Sequence, residues 1–252
     1  MDNRLTIPTA EPFLFPGGKT GCILVHGFTG APKEMRLMGE ALNQKGLTVL
    51  GVRLTGHATR PEDLIRTRWR DWLASVEDGI NILNDICDRV FIAGLSLGGM
   101  LSLIAASRYT LKGVIAIATP YELPKDWRLK IARPLSLIFP WTEKGQSETK
   151  DQSAVKEHVD YPAYPTRSIS EVYDLTKILH QSLPRINNPV LLINSRIDGT
   201  VPLSHANKIL AEIGSEKVEQ FIIDESGHVI TEDFGREVVF EVVHQFIQRN
   251  SK

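Results

Sequence analysis

Hydrophobic and polar positions follow two alternating rhythms along this chain. Short apolar runs rich in β-branched residues are separated by longer stretches in which apolar residues recur every three or four positions. A short apolar run is typical of a buried strand, and the longer period is typical of a helix that packs one face against a core. The alternation predicts an α/β fold, in which helices flank a mostly parallel central sheet.

The runs and the periodic stretches can be assigned to individual elements. Strands are predicted at 22–25, 48–53, 89–93, 113–119, 189–194 and 218–223. Helices are predicted at 32–45, 69–83, 97–108, 201–213 and 233–249. The last helix is expected to bury an apolar face of five residues: Phe234, Val238, Val242, Phe246 and Ile247.

Residues 120–167 break this rhythm. The stretch is rich in proline and contains a charged run over 143–160, which follows a part with large aromatic residues: Tyr121, Trp127, Phe139 and Trp141. A long segment without strand periodicity inside a compact domain is usually a lid or disordered, and aromatic residues favour the lid. We therefore expect an α/β core formed by 1–119 and 168–252, with an inserted cap at 120–167.

Charge and composition narrow the possible partners. Lys and Arg total 29 against 30 Asp and Glu, so the formal net charge of −1 provides no field that would attract nucleic acid or anionic lipid. No apolar run approaches the roughly 18 residues of a membrane span, and prolines interrupt residues 1–18 where a signal peptide would need an apolar run. We expect a soluble cytoplasmic protein that acts on a small, fairly neutral molecule.

Cysteine usage gives no sign of a metal or a disulfide framework. Cys22 and Cys87 show no CxxC spacing and no clustered histidine ligands. Two buried, reduced thiols are expected, with no metal and no cofactor. Oligomeric state cannot be predicted from these residues.

A candidate nucleophile lies between a predicted strand and a predicted helix. Gly94-Leu95-Ser96-Leu97-Gly98 matches G-x-S-x-G, a string that chance produces in roughly one chain in ten of this size. Its setting makes it informative, because a serine in a tight strand-to-helix turn needs small flanking residues and projects its hydroxyl above the sheet. The helix N-terminus behind the turn also offers unpaired N–H groups to a developing negative charge.

Three motifs together resemble the α/β-hydrolase family. They are H-G-F-T-G at 26–30, G-L-S-L-G-G at 94–99 and S-G-H at 226–228, and they resemble the small bacterial carboxylesterases related to monoacylglycerol lipases. The resemblance spans the chain outside 120–167. It implies that the backbone N–H groups of Phe28 and Leu97 form an oxyanion hole, and that His26 has a structural role.

The resemblance also implies the order of the remaining catalytic residues, with an acid after a late strand and a histidine before the last helix. His228 and Asp198 occupy those positions. A serine hydroxyl needs such a base, and the base needs a carboxylate that fixes its tautomer. His57 is the main rival for the base, and Asp224, four residues before His228, is the rival for the acid.

Three hypotheses about function remain at this stage. The first is a serine carboxylesterase that cleaves short- to medium-chain esters, including monoacylglycerols, through an acyl-enzyme intermediate. The second keeps the same three residues for acyl transfer to an alcohol or peroxide, or for cleavage of an amide or carbon–carbon bond. The third is a non-catalytic binding module on the same scaffold. In the first, the acyl chain would lie beneath the cap against four aromatic residues: Phe28, Trp127, Phe139 and Trp141.

Overall fold

A computed structural model of the chain describes residues 5–124, 126–145 and 149–252. Residues 1–4, at the start of the predicted core, lie outside the described residues. The same is true of positions 125 and 146–148 in the predicted cap.

A seven-stranded sheet forms the centre of the fold. Its strands are, in chain order, β1 (Phe13–Phe15), β2 (Thr20–Val25), β3 (Thr48–Val52), β4 (Arg89–Leu95), β5 (Gly113–Ile117), β8 (Val190–Ser195) and β9 (Val218–Ile223), whereas β6 (Trp141–Glu143) and β7 (Ala163–Pro165) form a separate antiparallel pair. The spatial order is β1-β3-β2-β4-β5-β8-β9, and only β1 runs antiparallel to its neighbour. The prediction of a mostly parallel α/β sheet is confirmed.

Helices cover both faces of this sheet. They are, in chain order, α1 (Lys33–Gln44), α2 (Pro61–Arg66), α3 (Trp69–Ile86), α4 (Leu97–Ala106), α5 (Ala132–Leu135), α6 (Gln152–Glu157), α7 (Thr166–Ser182), α8 (Ser204–Glu212) and α9 (Arg236–Asn250). Side chains alternate across each strand, so β2 presents Cys22 and Leu24 to the core beneath α1 and α9. Ile23 and Val25 face the opposite core, beneath α3, α4 and α7.

The predicted strands agree with the observed ones to within two residues at each end, but other predictions need correction. The buried face of α9 is formed by Val239, Phe240, Val243, Phe246 and Ile247. Phe234 and Val238, which were expected on that face, are 51% and 54% exposed. The helix begins only at Arg236, and its orientation on the sheet turns position 238 outward. Three elements, β1, α2 and α7, were not predicted from the sequence. β1 is only three residues long, and the first turns of α7 bury serine and threonine in place of apolar residues.

Between β5 and α7, the elements formed by the described residues are short. A 3-10 helix at Trp127–Ile131 leads into α5, followed by β6, α6 and β7. Its attachment to the core includes an ion cluster, since the buried carboxylate of Glu171 in α7 lies 3.2 Å from the Arg133 guanidinium. Arg167 and Arg68 contact the same carboxylate at 3.4 and 3.8 Å.

Both cysteines are buried as free thiols. Burial raises the pKa of the Cys22 thiol to about 12, which keeps it protonated. Within the described ranges, no helix combines the length and the apolar character needed to cross a bilayer.

Candidate active site

Ser96 lies in the sharp turn between β4 and α4. Its backbone has φ 53° and ψ −114°, a strained conformation for a residue with a side chain. A Cβ at Gly94 would lie 2.1 Å from the Gly98 carbonyl oxygen, and one at Gly98 would lie 2.2 Å from the Val25 carbonyl oxygen. The flanking glycines are thus required by close backbone contacts, as the motif predicts.

The structure brings Ser96, His228 and Asp198 together. His228 Nε2 lies 3.0 Å from Ser96 Oγ, and His228 Nδ1 lies 2.8 Å from Asp198 Oδ2. The other Asp198 oxygen accepts hydrogen bonds from the backbone N–H groups of Thr200 and Val201, at 2.9 and 2.8 Å. With the Nδ1 proton directed at Asp198, Nε2 of a neutral imidazole can accept the proton of the serine hydroxyl.

The two rival residues lie elsewhere. His57 is fully buried 5.1 Å from the His26 ring and 5.7 Å from the Trp72 ring, measured between centroids. Burial lowers the pKa of His57 well below its ordinary value. Asp224 is exposed and pairs with Arg196 at 2.7 Å, so its carboxylate is not directed at His228.

The loop 26–30 after β2 carries the first predicted oxyanion donor. His26 ties this loop down, because its Nδ1 bonds to the Gly27 carbonyl at 2.9 Å and its Nε2 accepts the Leu54 N–H at 3.2 Å. Burial lowers the pKa of His26 to about 4, so the ring is neutral. Within the described part of the chain, neither Phe28 nor Leu97 donates its backbone N–H to a protein acceptor.

A cavity of about 760 Å³ opens over Ser96. One part of its lining is apolar and includes Met100, Leu123, Leu129, Ile169, Val172 and Val229. Phe28 also lines it, stacked on Tyr164 of β7 with ring centroids 5.5 Å apart.

The prediction that three aromatic residues of the cap bind the substrate needs correction. Trp127, Phe139 and Trp141 are 71%, 60% and 38% exposed, and none of them lines this cavity. The turn of the 3-10 helix directs Leu129 inward and leaves Trp127 outside. The cap therefore lines the cavity with aliphatic Leu123 and Leu129 and with the ring of Tyr164, and not with the three aromatic residues that the sequence suggested.

The cavity is also lined by a group of polar residues that was not predicted from the sequence. Glu34, Lys144, His158 and Asp160 all line it. His158 Nδ1 lies 2.6 Å from Glu232, and Lys144 pairs with Asp160. Lys144, His158 and Asp160 belong to the charged run over 143–160, whereas Glu34 and Glu232 come from distant parts of the chain.

Burial and ion pairing shift the pKa values of two residues in this group, His158 and Glu34. Burial acts to lower the pKa of His158, but the carboxylates of Asp160, Glu232 and Glu34 outweigh it and raise the pKa to about 10. Burial raises the pKa of Glu34 to about 7. At neutral pH His158 is therefore a cation held between carboxylates.

Asp233 connects the cap to the loop that carries His228. Its buried carboxylate accepts the backbone N–H of Gly227 at 2.7 Å and that of Phe234 at 2.9 Å. It also accepts the N–H groups of Lys150 and Asp151, at 2.9 and 2.8 Å, from the cap. Among the described residues, no group of three or more His, Cys, Asp or Glu side chains is arranged to hold a metal ion.

Comparisons with known proteins identify the family of this chain. A family model described as serine aminopeptidase, S33, matches residues 18–234. The chain is 34% identical to a thermostable monoacylglycerol lipase of Bacillus sp. (strain H-257), with 96% of each chain covered. It is 29% identical to a carboxylesterase of Bacillus subtilis (strain 168), covering 97% of this chain and 99% of that one.

Solved structures show the same fold. One, from work on the metagenome-derived lipolytic enzymes LipS and LipT, superimposes with a TM-score of 0.91 at 30% identity, covering 97% of this chain and 99% of that one. The monoacylglycerol lipase of Paleococcus ferrophilus has a TM-score of 0.83 at 20% identity, covering 95% and 98%. The family model matches most of the chain, and the sheet order and the strained serine turn fit the same fold. The chain therefore belongs to the serine aminopeptidase S33 family of α/β-hydrolases.

Proposed function

We propose that this protein is a serine carboxylesterase in which Ser96 is the nucleophile, His228 the general base and Asp198 the residue that orients the base. The observation that carries the proposal is the continuous hydrogen-bonded chain from Asp198 through His228 to Ser96, at 2.8 and 3.0 Å. A hydroxyl alone is a poor nucleophile, and this arrangement removes its proton as the new bond forms.

The reaction proceeds in two halves. Ser96 Oγ attacks the ester carbonyl carbon while its proton passes to His228 Nε2. The resulting oxyanion accepts hydrogen bonds from the backbone N–H groups of Phe28 and Leu97. The bond to the alcohol oxygen then breaks, and His228 protonates the departing alkoxide. Water next gives a proton to His228 and attacks the acyl-enzyme. The C–Oγ bond breaks, Ser96 regains its proton, and the carboxylic acid leaves.

The cavity supports an aliphatic acyl group of short to medium length. Leu129, Ile169 and Val172 offer apolar surface in the cavity that Ser96 also lines, and each acyl methylene buried there contributes about 0.8 kcal/mol. We assign residues 120–167 as the cap over this surface, with Phe28 as a substrate contact. Two relatives are named as a monoacylglycerol lipase and a carboxylesterase, which favours esters over the other reactions considered.

Conversion of Ser96 to Ala tests the proposal. Hydrolysis of p-nitrophenyl butyrate and octanoate should fall by at least about 10³-fold, and labelling by a fluorophosphonate probe should disappear. Ser107→Ala, at the C-terminal end of α4, is the matched control and should retain both. Esterase activity of Ser96→Ala within a few-fold of wild type would overturn the proposal.

Because the family is described as an aminopeptidase family, amide substrates belong in the same assay. Aminoacyl p-nitroanilides should be cleaved at least about 10²-fold more slowly, by kcat/KM, than the octanoate ester. A peptide-bond preference would instead reassign the reaction class while leaving the role of Ser96 intact.

Two finer predictions concern the cell. The balanced charge supports a small-molecule substrate without nucleic-acid partners, and the cytoplasm is the proposed location. Fractionation of cells that express the native gene, with the esterase activity as the marker, checks the location.

A further inference from the structure

A buried carboxylate occupies the inside of the loop that carries the proposed oxyanion donor Phe28. Glu34 belongs to the first turn of α1, and its side chain folds back beneath loop 26–30. Glu34 Oε2 accepts the backbone N–H of Gly27 at 2.7 Å. A buried N–H without this partner would cost about 1–3 kcal/mol, so the contact constrains the loop strongly.

The loop is shaped around this carboxylate. A Cβ at Gly30 would lie 2.0 Å from Glu34 Oε1, so the carboxylate takes the space that a side chain would need. Between the two glycines, Thr29 adopts φ 64°, a left-handed conformation that is unfavourable for a β-branched residue. The surroundings, including Glu34, therefore hold the loop in a geometry that its own sequence does not favour.

The peptide that Glu34 fixes adjoins the peptide of the oxyanion donor. The Gly27 N–H is held by Glu34 and the Gly27 carbonyl by His26 Nδ1, at 2.7 and 2.9 Å. The Gly27 carbonyl and the Phe28 N–H belong to one rigid peptide plane, so fixing the first sets the direction of the second. Glu34 binds the N–H of the preceding peptide, between His26 and Gly27, whereas His26 binds the carbonyl of the peptide that contains the Phe28 N–H.

We propose that Glu34 is a positioning residue for the oxyanion hole, acting through the Gly27 N–H to aim the Phe28 N–H at the substrate oxygen. The inference rests on the proposed function, because it assigns a role within the same reaction. Glu34 touches no reacting atom in this role. Its contribution is made only when negative charge develops on the carbonyl oxygen, so it should act on kcat and not on substrate binding.

The cap supports the same loop from the other side. Tyr161 donates its backbone N–H to the Thr29 carbonyl at 3.0 Å, and His158 Nε2 lies 3.8 Å from Glu34 Oε1. Both residues lie between α6 and β7. The position of the cap and the shape of the oxyanion loop are thus linked through two contacts that flank Phe28.

Glu34 serves as a hydrogen-bond acceptor in this role. Burial raises its pKa to about 7, yet a carboxyl group keeps an acceptor oxygen for the Gly27 N–H whether or not it is protonated. A glutamine at this position provides the same acceptor with the same reach. An alanine provides none, and an aspartate is one methylene too short.

The test compares Glu34→Ala with Glu34→Gln in the full-length protein, using p-nitrophenyl butyrate. In Glu34→Ala, kcat should fall about 10- to 100-fold with KM within about threefold, because loss of a whole oxyanion donor costs about 10²–10³ and misdirection costs less. Glu34→Gln should restore kcat to within about threefold of wild type. The Ki of an alkyl trifluoromethyl ketone, which forms a tetrahedral adduct on the serine, should rise in proportion to the loss of kcat/KM.

Glu40→Ala, an exposed position on the same helix, is the matched control and should leave kcat, KM and Ki unchanged. Wild-type kcat in Glu34→Ala, a loss confined to KM, or a Gln variant as impaired as the Ala variant would each overturn the inference. If Glu34→Ala does not fold, Glu34→Asp replaces it and must show the same loss of kcat. An inactive wild type would count against the proposed function, whereas an active wild type with an insensitive Glu34 counts only against this inference.

Discussion

Ser96 Oγ and His228 Nε2 lie 3.0 Å apart, although 132 residues separate them along the chain. The serine is held by the turn after the central strand β4, and the histidine by the loop after β9, the outermost strand. Parallel strands end at the same edge of a sheet, so loops from distant segments converge there. The contact depends on the whole sheet, and substitutions that move either loop should reduce activity.

The acid assignment can be tested between two aspartates that follow neighbouring strands. Asp198→Asn should lower kcat by about 10³- to 10⁴-fold with little change in KM, because the amide favours the wrong imidazole tautomer. Asp224→Asn should leave kcat within about twofold, since Asp224 is exposed and bonded to Arg196. Steady-state kinetics on p-nitrophenyl butyrate measure both, and a reversed pattern would reassign the acid.

Substitutions at Leu129 and Trp127 test which cap residues contact the acyl chain. Leu129→Trp should fill the cavity and shift the preferred ester toward shorter acyl chains, because Leu129 lines it. Trp127→Ala should leave the chain-length profile unchanged, because that side chain is 71% exposed. Ratios of kcat/KM for acetate through decanoate esters provide the readout. If only Trp127→Ala changed the chain-length preference, Trp127 would contact the acyl chain as the sequence suggested.

Asp233 should matter for both stability and activity. Asp233→Asn replaces one acceptor oxygen with a donor, leaving buried N–H groups of the cap or of the His228 loop unpaired. The free energy of unfolding should fall by about 2–4 kcal/mol, since each unpaired group costs about 1–3 kcal/mol. Denaturant titration measures this, and kcat should fall as well because Gly227 adjoins His228. Glu237→Gln, exposed on α9, is the control and should change stability by less than about 0.5 kcal/mol.

The buried charge group around His158 makes stability depend on pH. The folded-state pKa of about 10 exceeds the ordinary value of 6.5, so the stabilisation is complete below pH 6.5 and is lost as the pH rises through 10. Its carboxylate neighbours are Glu34, Asp160 and Glu232, with Lys144 bound to Asp160. Unfolding free energies from pH 6 to 10 should fall by an amount on the order of a few kcal/mol in the wild type.

The corresponding control is His158→Gln, in which the fall between pH 6.5 and 10 should be largely absent. A smaller fall between about pH 4.5 and 7 should persist there, because burial raises the pKa of Glu34 and its ionisation disfavours the folded state. Parallel curves for the two proteins above pH 7 would show that His158 is not a buried cation.

Much of the fold around Ser96 could be predicted from local sequence patterns. The strand observed at 89–95 was predicted at 89–93 from its apolar run, and the helix behind it from its apolar periodicity. The need for small residues at Gly94 and Gly98 followed from the tight turn around Ser96. Positions 198 and 228 were selected by resemblance and by their place after late strands, and their side chains meet in the structure. Their catalytic roles stay predictions until the variants are measured.

The sequence by itself determined the α/β fold and the placement of Ser96, because periodicity and turn chemistry are written in neighbouring residues. Only the tertiary structure decided which cap residues face the cavity, and which carboxylate lies beneath the oxyanion loop. Trp127 and Leu129 differ in exposure through the orientation of one helical turn, and Glu34 meets Gly27 only because α1 folds back on β2. Such contacts depend on the packing of whole elements, which no local pattern encodes.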